Sequence, residues 1–386
     1  MNRLTNWLGA GALALTALTL TPTAQGQQPK PAAKPQVEVV FCLDTTGSMG
    51  GLIDAAKSKI WSICNQIAAG KPTPQLRVGL VAYRDRGDEY ITKVFDLTDD
   101  LDAVYTNLMA FKAQGGGDFP ESVNQALFDS VHKIKWSADK KTLKIIFLVG
   151  DAPPHMDYKD DVKYPETCKV ACTKDIIINS VQCGNHAETM KYWKDICRLA
   201  EGSYVQIDAR GGPVVAIATP FDEELAKLNT TMARSMLTYG HAEFRREGGK
   251  AKKAIEALPT APAADRAGFG GITGSLTSKY DLLDAVKSGK VKLAEVKKDE
   301  LPEELKKLTL KEQEAFLAKC EKERTELNKR AAELNQKRAE FIAKKMKEDQ
   351  TNRARDSFDG QVLRVLATQA RRINVQYAID GDEKKK

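Results

Sequence analysis

Oxygen-bearing side chains lie in three short segments that each follow a predicted strand or open a predicted helix. The first segment is Asp44-Thr45-Thr46-Gly47-Ser48, the second ends a Gly-Gly-Gly turn at Asp118, and the third begins at Asp151 after an apolar run. Hard oxygen donors of this kind favour Mg²⁺, Mn²⁺ or Ca²⁺ over zinc. Small hydroxyls in a tight loop suit the smaller octahedral ion. We therefore expect one divalent ion, preferably Mg²⁺, held by Asp44, Thr46, Ser48, Asp118 and Asp151.

Each segment also has a purely structural interpretation. Asp118-Phe119-Pro120-Glu121 has the spacing of a capping box with proline in the first turn of a helix. The hydroxyls of Thr46 and Ser48 could serve only to accept from the free amides of the next helix. A metal site is favoured only because all three segments occur together in this order.

Apolar periodicity predicts the elements that would position these segments. We expect strands over residues 37–43, 77–83, 90–97, 143–149, 176–181 and 204–207, and helices over 52–67, 101–111, 123–134, 187–199 and 221–237. This alternation predicts an α/β fold, a doubly wound and mostly parallel sheet with helices on both faces. Ligands bind such sheets beyond the carboxyl ends of the strands, where the strand order reverses.

The pattern Asp44-x-Thr46-x-Ser48 resembles the metal-ion-dependent adhesion site of the von Willebrand factor type A (vWA) domain, and the resemblance extends over residues 37–240. It implies that Thr46 and Ser48 bind the ion directly, while Asp44 and Asp151 often act through water. The family usually has a threonine where this chain has Asp118. In adhesion members an open coordination position takes a carboxylate from the partner. This departure at Asp118 leaves two alternatives: the extra carboxylate fills or neutralises that position, or the position stays open. The strings at 115–121 and 150–155 resemble those of secreted bacterial members.

The composition and the first residues predict an exported protein. The chain has 386 residues, of which 42% are hydrophobic and 29% charged, and this excludes a small disulfide scaffold, a wholly disordered chain and a polytopic membrane protein. Residues 1–26 have the charge and the short apolar run of a signal peptide, and residues 27–36 a flexible linker. We expect a secreted or periplasmic protein.

The C-terminal third has a different character from the rest of the chain. Residues 241–386 hold 33 basic and 25 acidic residues, although the whole chain carries a net charge of only +7. We expect a linker with short helices over 241–300, flexible at 259–274, and a charged helical region over 301–386. Acidic residues interrupt every basic run, which argues against nucleic-acid binding. The region resembles tails on secreted bacterial vWA proteins.

A half-polar heptad pattern runs through the charged helical region. Its seam positions are Leu317, Cys320, Arg324, Leu327, Ala331, Leu334, Arg338 and Phe341. The pattern suits a weak coiled coil that joins two chains. It equally suits an αα-hairpin or a helix packed on the globular domain.

Four of the seven cysteines crowd into one segment after Asp151. They are Cys168, Cys172, Cys183 and Cys197. In an exported protein we expect disulfides among these four. They would stabilise an insertion that has little hydrophobic core. The alternative is a structural zinc ion with His186 as a further ligand.

These observations predict a non-enzymatic, metal-dependent binding module. The ion and its rim would contact another protein or an acidic surface polymer, and the tail would position or oligomerise the domain. One alternative makes the helical tail the interaction element, with the ion only stabilising the domain. A less favoured alternative is a metal-assisted hydrolase that uses Asp118, Glu121 or His155 around the ion.

Overall fold

The computed structural model describes residues 34–209, 217–275, 278–348 and 357–377. The strands are β1 (Gln36–Asp44), β2 (Gln75–Tyr83), β3 (Thr92–Thr98), β4 (Thr142–Gly150), β5 (Ile176–Cys183) and β6 (Tyr204–Ile207). The helices are α1 (Gly50–Ala68), α2 (Leu101–Met109), α3 (Val123–His132), α4 (Tyr164–Thr173), α5 (Ala187–Leu199), α6 (Asp222–Arg234), α7 (Ala242–Glu256), α8 (Thr260–Thr273), α9 (Leu282–Lys287), α10 (Leu310–Glu348) and α11 (Phe358–Ala370). The predicted signal segment, residues 1–26, lies outside the described residues.

The six strands form one mostly parallel sheet, as the sequence predicts. Their order is β3-β2-β1-β4-β5-β6, and only the edge strand β3 runs antiparallel to its neighbour. The chain leaves β1 toward β2 on one side and later returns to β4 on the other side. The strand order therefore reverses between β1 and β4, and the carboxyl ends of these two strands border the crevice where such sheets bind ligands.

Alternating residues of the central strands supply two apolar cores. On β1, Val39 and Phe41 pack with α1, α2 and α11, while Val40 and Cys42 pack with α3, α4 and α5. Both faces of the sheet are thus covered by helices, which explains why β4 is buried along its whole length.

The predicted flexible boundary at residues 259–274 is instead a buried helix, α8, packed against α1, α6 and α10. Ala264 and Ala267 are fully buried in its interface. A Cβ atom added at Gly271 would meet the backbone nitrogen of Ala332 in α10 at 2.5 Å. The small residues that suggested flexibility allow close approach of two helices.

The long helix α10 packs on its own chain through the predicted heptad seam. Leu317, Ala331 and Leu334 are buried against residues of α6, α8 and α9. The polar seam positions are buried as well. Arg324 contacts Asp281 at 2.7 Å, and Arg338 contacts both Asp222 and Asp265 at 2.6 Å. The alternative of a helix packed on the globular domain describes this arrangement, and oligomerisation through the helices stays a prediction.

The last helix, α11, returns to the sheet. Phe358 packs 6.3 Å from Phe41 between ring centroids, within the core formed by α1 and β1. The side-chain amides of Asn179 in β5 and Gln369 in α11 are both buried and exchange two hydrogen bonds of 3.1 and 2.7 Å. Residues near the C-terminus therefore complete one face of the sheet.

The predicted disulfides are not formed. All seven cysteines are free thiols, and the four that we expected to pair lie in α4, β5 and α5. This segment is not a poorly packed insertion, because Ile178, Trp193 and Ile196 are fully buried in the second core. The ring of His186 caps α5 by accepting from the amide of Thr189, and no zinc group that includes it occurs among the described residues.

No helix within the described ranges is both long enough and apolar enough to span a membrane.

Candidate metal centre

Asp44, the last residue of β1, is locked in place by the loop that follows it. Its Oδ1 accepts from the backbone amide of Thr46 at 2.8 Å and from the Thr46 hydroxyl at 2.6 Å. The carboxylate is fully buried, and its second oxygen, Oδ2, has no hydrogen-bond partner. An unpartnered buried carboxylate oxygen is costly unless a cation or a proton compensates it.

Ser48 and Asp151 complete the arrangement across the strand reversal. The Ser48 hydroxyl lies 3.4 Å from that of Thr46 and is hydrogen-bonded to the side chain of Asp151, just after β4. Burial raises the pKa of the Asp151 carboxyl above its ordinary value, and the hydrogen bond with Ser48 lowers this pKa only partly. Four of the five predicted ligands are therefore linked: Asp44, Thr46, Ser48 and Asp151.

The loop before α3 is tied directly to the loop after β1. The amide of Gly47 donates to Gly115 O at 3.1 Å, and the amide of Gln114 donates to Thr45 O at 3.1 Å. Gly115 has a φ of +80°, and a Cβ atom there would collide with the carboxylate of Asp88. Glycine is thus required at residue 115, both for its positive φ and for the close approach of this loop to Asp88.

Glu121 is a member of the site region that the metal-site prediction missed. It is 4% exposed, and its Oε2 has no hydrogen-bond partner. Burial, together with the nearby charges of Asp44 and Asp85, raises its pKa to about 9. The capping-box interpretation is wrong, because α3 begins at Val123 and Glu121 precedes it. In the sequence analysis, Glu121 was considered as a functional residue only in the hydrolase alternative.

The fifth predicted ligand, Asp118, lies in a neighbouring group. Its side chain is 63% exposed, and its Oδ2 is 3.7 Å from Nε2 of His155. The same His155 nitrogen is 3.4 Å from Oδ2 of Asp85. The structure therefore places Asp118 with Asp85 and His155, and its contact with an ion shared by Asp44 and Asp151 stays a prediction.

Residues 38–217 match the family model of the von Willebrand factor A domain. This region of the chain is similar to the vWA domain family. The described fold is vWA-like, with a mostly parallel sheet whose strand order reverses between β1 and β4.

Curated relatives match only parts of this chain. It is 40% identical over 93 residues to von Willebrand factor A domain-containing protein 7 of the rat, which covers 24% of this chain and 10% of the relative. It is 20% identical over 201 residues to an ariadne-like RING finger protein of Acanthamoeba polyphaga mimivirus, covering 47% of this chain and 19% of that protein. The chain thus spans between a tenth and a fifth of the length of these relatives.

A solved structure with a similar fold is proximal thread matrix protein 1 from the mussel byssus. It has 11% sequence identity and a TM-score of 0.36, and the match covers 46% of this chain and 42% of that one.

The donor set of the vWA domain fits a hard divalent cation. The two hydroxyls and two carboxylates are all oxygen donors, and two buried carboxylate oxygens, Asp44 Oδ2 and Glu121 Oε2, lack any hydrogen-bond partner. Burial raises the pKa of Asp44 to about 7, and the Thr46 hydrogen bonds and the Arg84 guanidinium lower it only partly. Without a cation these carboxyl groups favour the protonated form.

These pKa shifts predict how the stability of the metal-free vWA domain varies with pH. The folded-state pKa values of Asp44 and Glu121, about 7 and about 9, exceed their ordinary values of 3.8 and 4.5. The folded state therefore binds more protons, and the stability that these groups contribute is lost as the pH rises through 7 and 9. In EDTA, we expect the melting temperature measured by circular dichroism to rise as the pH falls from about 9 to about 6.

A matched control for this pH dependence combines Asp44→Asn with Glu121→Gln, because neither replacement can titrate. The double variant should show a weaker change of melting temperature over the same pH interval. A melting temperature that instead increases with pH in the unsubstituted protein would contradict the prediction.

Proposed function

We propose that this protein is an exported, non-enzymatic binding module that holds Mg²⁺ at the loops after β1 and β4. Asp44, Thr46, Ser48 and Asp151 hold the ion, and Asp118 lies on the rim. The ion and this rim contact a protein partner. The proposal rests on one observation above all, the buried and unpartnered Oδ2 of Asp44 beside two hydroxyls.

The residues of the site have different roles in holding the ion. The Thr46 and Ser48 hydroxyls are the direct ligands, and Asp44 and Asp151 orient them through the hydrogen bonds described above. The ion, when bound, supplies a positive centre that can accept a carboxylate of a partner. Arg84 is anchored to Thr45 O at 3.1 Å and to Lys112 O at 2.8 Å, so it holds the loops together around the site.

The rim of the site favours a protein over an acidic polymer. Two large apolar side chains lie exposed there, Phe119 at 46% and Met156 at 38%. Phe119 is next to Asp118 in the chain and packs edge-on against His186, with 4.3 Å between ring centroids. Exposed apolar side chains around a charged centre are typical of protein interfaces, whereas a charged polymer offers them no apolar surface.

Asp44→Asn is expected to weaken Mg²⁺ binding by at least about tenfold, because it removes the charge that orients Thr46 and attracts the ion. Isothermal titration calorimetry on the EDTA-treated and dialysed full chain measures this directly. Asp54→Asn is the matched control, since Asp54 is an exposed residue of α1 beyond the loop. Equal Mg²⁺ affinity in Asp44→Asn and in the unsubstituted protein would overturn the metal site.

Partner binding is tested by capture experiments with Mg²⁺ and with EDTA. The proposal expects a specific partner to be retained in Mg²⁺ and lost in EDTA, in Asp44→Asn and in Phe119→Ser. Retention in Asp44→Asn together with loss in Lys322→Glu, on the exposed face of α10, would favour the helical tail as the interaction element. EDTA-sensitive hydrolysis of ester or phosphate substrates would contradict the non-enzymatic proposal.

A further inference from the structure

Beyond the proposed Mg²⁺ site, a second group of ligand atoms converges near the loop before α3. Single ligand atoms of Asp85, Asp118 and His155 all lie within 4.8 Å of one another. These residues come from three separate parts of the chain, the segments after β2, before α3 and after β4. We propose that this group binds a divalent transition-metal ion of the Zn²⁺ class, distinct from the ion held by Asp44, Thr46, Ser48 and Asp151.

The histidine of this group has the arrangement of a metal ligand. His155 is 4% exposed, and its Nε2 has no hydrogen-bond partner although it faces the two carboxylates. The other ring nitrogen, Nδ1, is 2.8 Å from Oδ1 of Asp157. A proton on Nδ1 donated to Asp157 leaves the lone pair of Nε2 directed into the group. Metal-binding histidines are usually oriented by a carboxylate in this way.

The ring of His155 is fixed from further sides. It stacks on the ring of Tyr158, with 4.0 Å between centroids and 10° between planes. The His155 amide donates to Glu121 O at 3.1 Å, and the side chain of Asn124 donates to His155 O at 2.7 Å. The imidazole therefore cannot easily turn away from the carboxylates.

Asp85 is oriented as firmly as His155. It is 3% exposed, and its Oδ1 accepts from the Ser122 hydroxyl at 2.8 Å. Its Oδ2 accepts from the Tyr158 hydroxyl at 2.8 Å and keeps a lone pair free. Asp118 is mostly exposed and thus provides the side from which an ion can enter. The group combines two preorganised ligands with one that can close on the ion.

A histidinium ion pair without metal is the competing explanation. Separations of 3.4 and 3.7 Å from Nε2 to the two carboxylate oxygens are longer than hydrogen bonds, and Nε2 makes none. A ligand set of one imidazole and two carboxylates instead suits Zn²⁺ and similar first-row ions, with a fourth position left for water or a bound group.

The proposal is tested on the EDTA-treated full chain with Zn²⁺ in competition with a chromophoric chelator, and with Co²⁺ as a visible-absorption probe. His155→Ala and Asp118→Asn should each weaken Zn²⁺ binding by at least about tenfold. Asp118 is exposed, so Asp118→Asn keeps the test valid even if His155→Ala disturbs folding. Asp157→Asn should weaken binding less, because it only orients His155.

Controls separate this site from the thiols and from the Mg²⁺ site. His132→Ala, at an exposed histidine of α3, should leave Zn²⁺ affinity unchanged. His155→Ala should leave Mg²⁺ binding unchanged, so failure of one site is distinguishable from failure of the other. Unchanged Zn²⁺ binding in both His155→Ala and Asp118→Asn, or a Co²⁺ spectrum dominated by thiolate charge-transfer bands, would overturn the proposal.

Discussion

Arg324→Ala is expected to lower the free energy of unfolding by about 3–5 kcal/mol, because it leaves a buried carboxylate without its counterion. Asp281 is fully buried, and both of its oxygens lie 2.7 Å from the guanidinium of Arg324. The guanidinium also donates to the hydroxyl and the carbonyl of Ser235. One side chain of α10 thus joins the end of α6 to the start of α9.

Asp281 also accepts two backbone hydrogen bonds, and these increase the loss of stability expected for Arg324→Ala. Its Oδ1 accepts from the amide of Asp284 at 2.9 Å, which caps α9, and its Oδ2 accepts from the amide of Leu237 at 2.9 Å. These amides continue to hold the carboxylate in its buried position after Arg324 is removed. The charge therefore cannot move to water without breaking the cap, and we expect Asp281 to be destabilised in place.

The matched control is Arg330→Ala in the same helix. Arg330 is 2.7 Å from Glu224, but both side chains are about half exposed, so its loss should cost less than about 1 kcal/mol. Urea unfolding followed by circular dichroism measures both variants. In the double variant Arg324→Met with Asp281→Asn, we expect a smaller loss than the two single losses added together. Equal effects of Arg324→Ala and Arg330→Ala would refute this account.

Phe358→Ala is expected to destabilise the vWA domain by about 3–5 kcal/mol, although residue 358 lies far beyond the region that matches the family model. Phe358 is 2% exposed and packs in the core between α1 and the sheet. Removing the ring leaves a cavity beside Phe41, whose own ring stacks on that of Phe147 at 5.7 Å. The cost follows from lost apolar burial and from the cavity.

Thr368→Ala serves as the control within α11. Thr368 is exposed, and its hydroxyl donates only to the carbonyl of Arg364 in the same helix, so its loss should be nearly neutral. Thermal and urea unfolding of the full chain measure both variants. If Phe358→Ala left the unfolding of the sheet unchanged, α11 would not be part of the domain core.

The C-terminal helical region is packed into the rest of the chain. Its arginines pair with buried aspartates of α6, α8 and α9, and its last helix completes a face of the sheet. Truncating this region therefore removes part of the domain, and a truncated chain cannot show whether the tail binds a partner. Substitutions at exposed positions of α10 such as Lys322 are the informative variants.

The chain's local pattern was sufficient to predict the strands of the sheet, and it places the three loops that carry the predicted metal ligands after strands or before a helix. The strand predicted at 204–207 and the helix predicted at 187–199 have the observed bounds, and the other predicted strands differ from those observed by a few residues at most. Apolar runs and periodicity predict such elements because burial of one face or of both drives their formation. The residues that are buried lie close together in the sequence and form a recognisable pattern. A doubly wound sheet predicts that Asp44 and Asp151 lie at the same edge, and the pairing of β1 with β4 in the structure makes their strands neighbours.

Only the tertiary structure decided which distant residues share an environment. The grouping of Asp85 with His155, the pairing of Arg324 with Asp281 and the return of Phe358 to Phe41 join parts of the chain with no common periodicity. Small residues at 259–274 suit both a flexible linker and a tightly packed helix, and only the presence of α10 opposite Gly271 selects the helix. Local sequence encodes which surface is apolar or charged, whereas the partner of that surface is fixed by the packing of the whole chain.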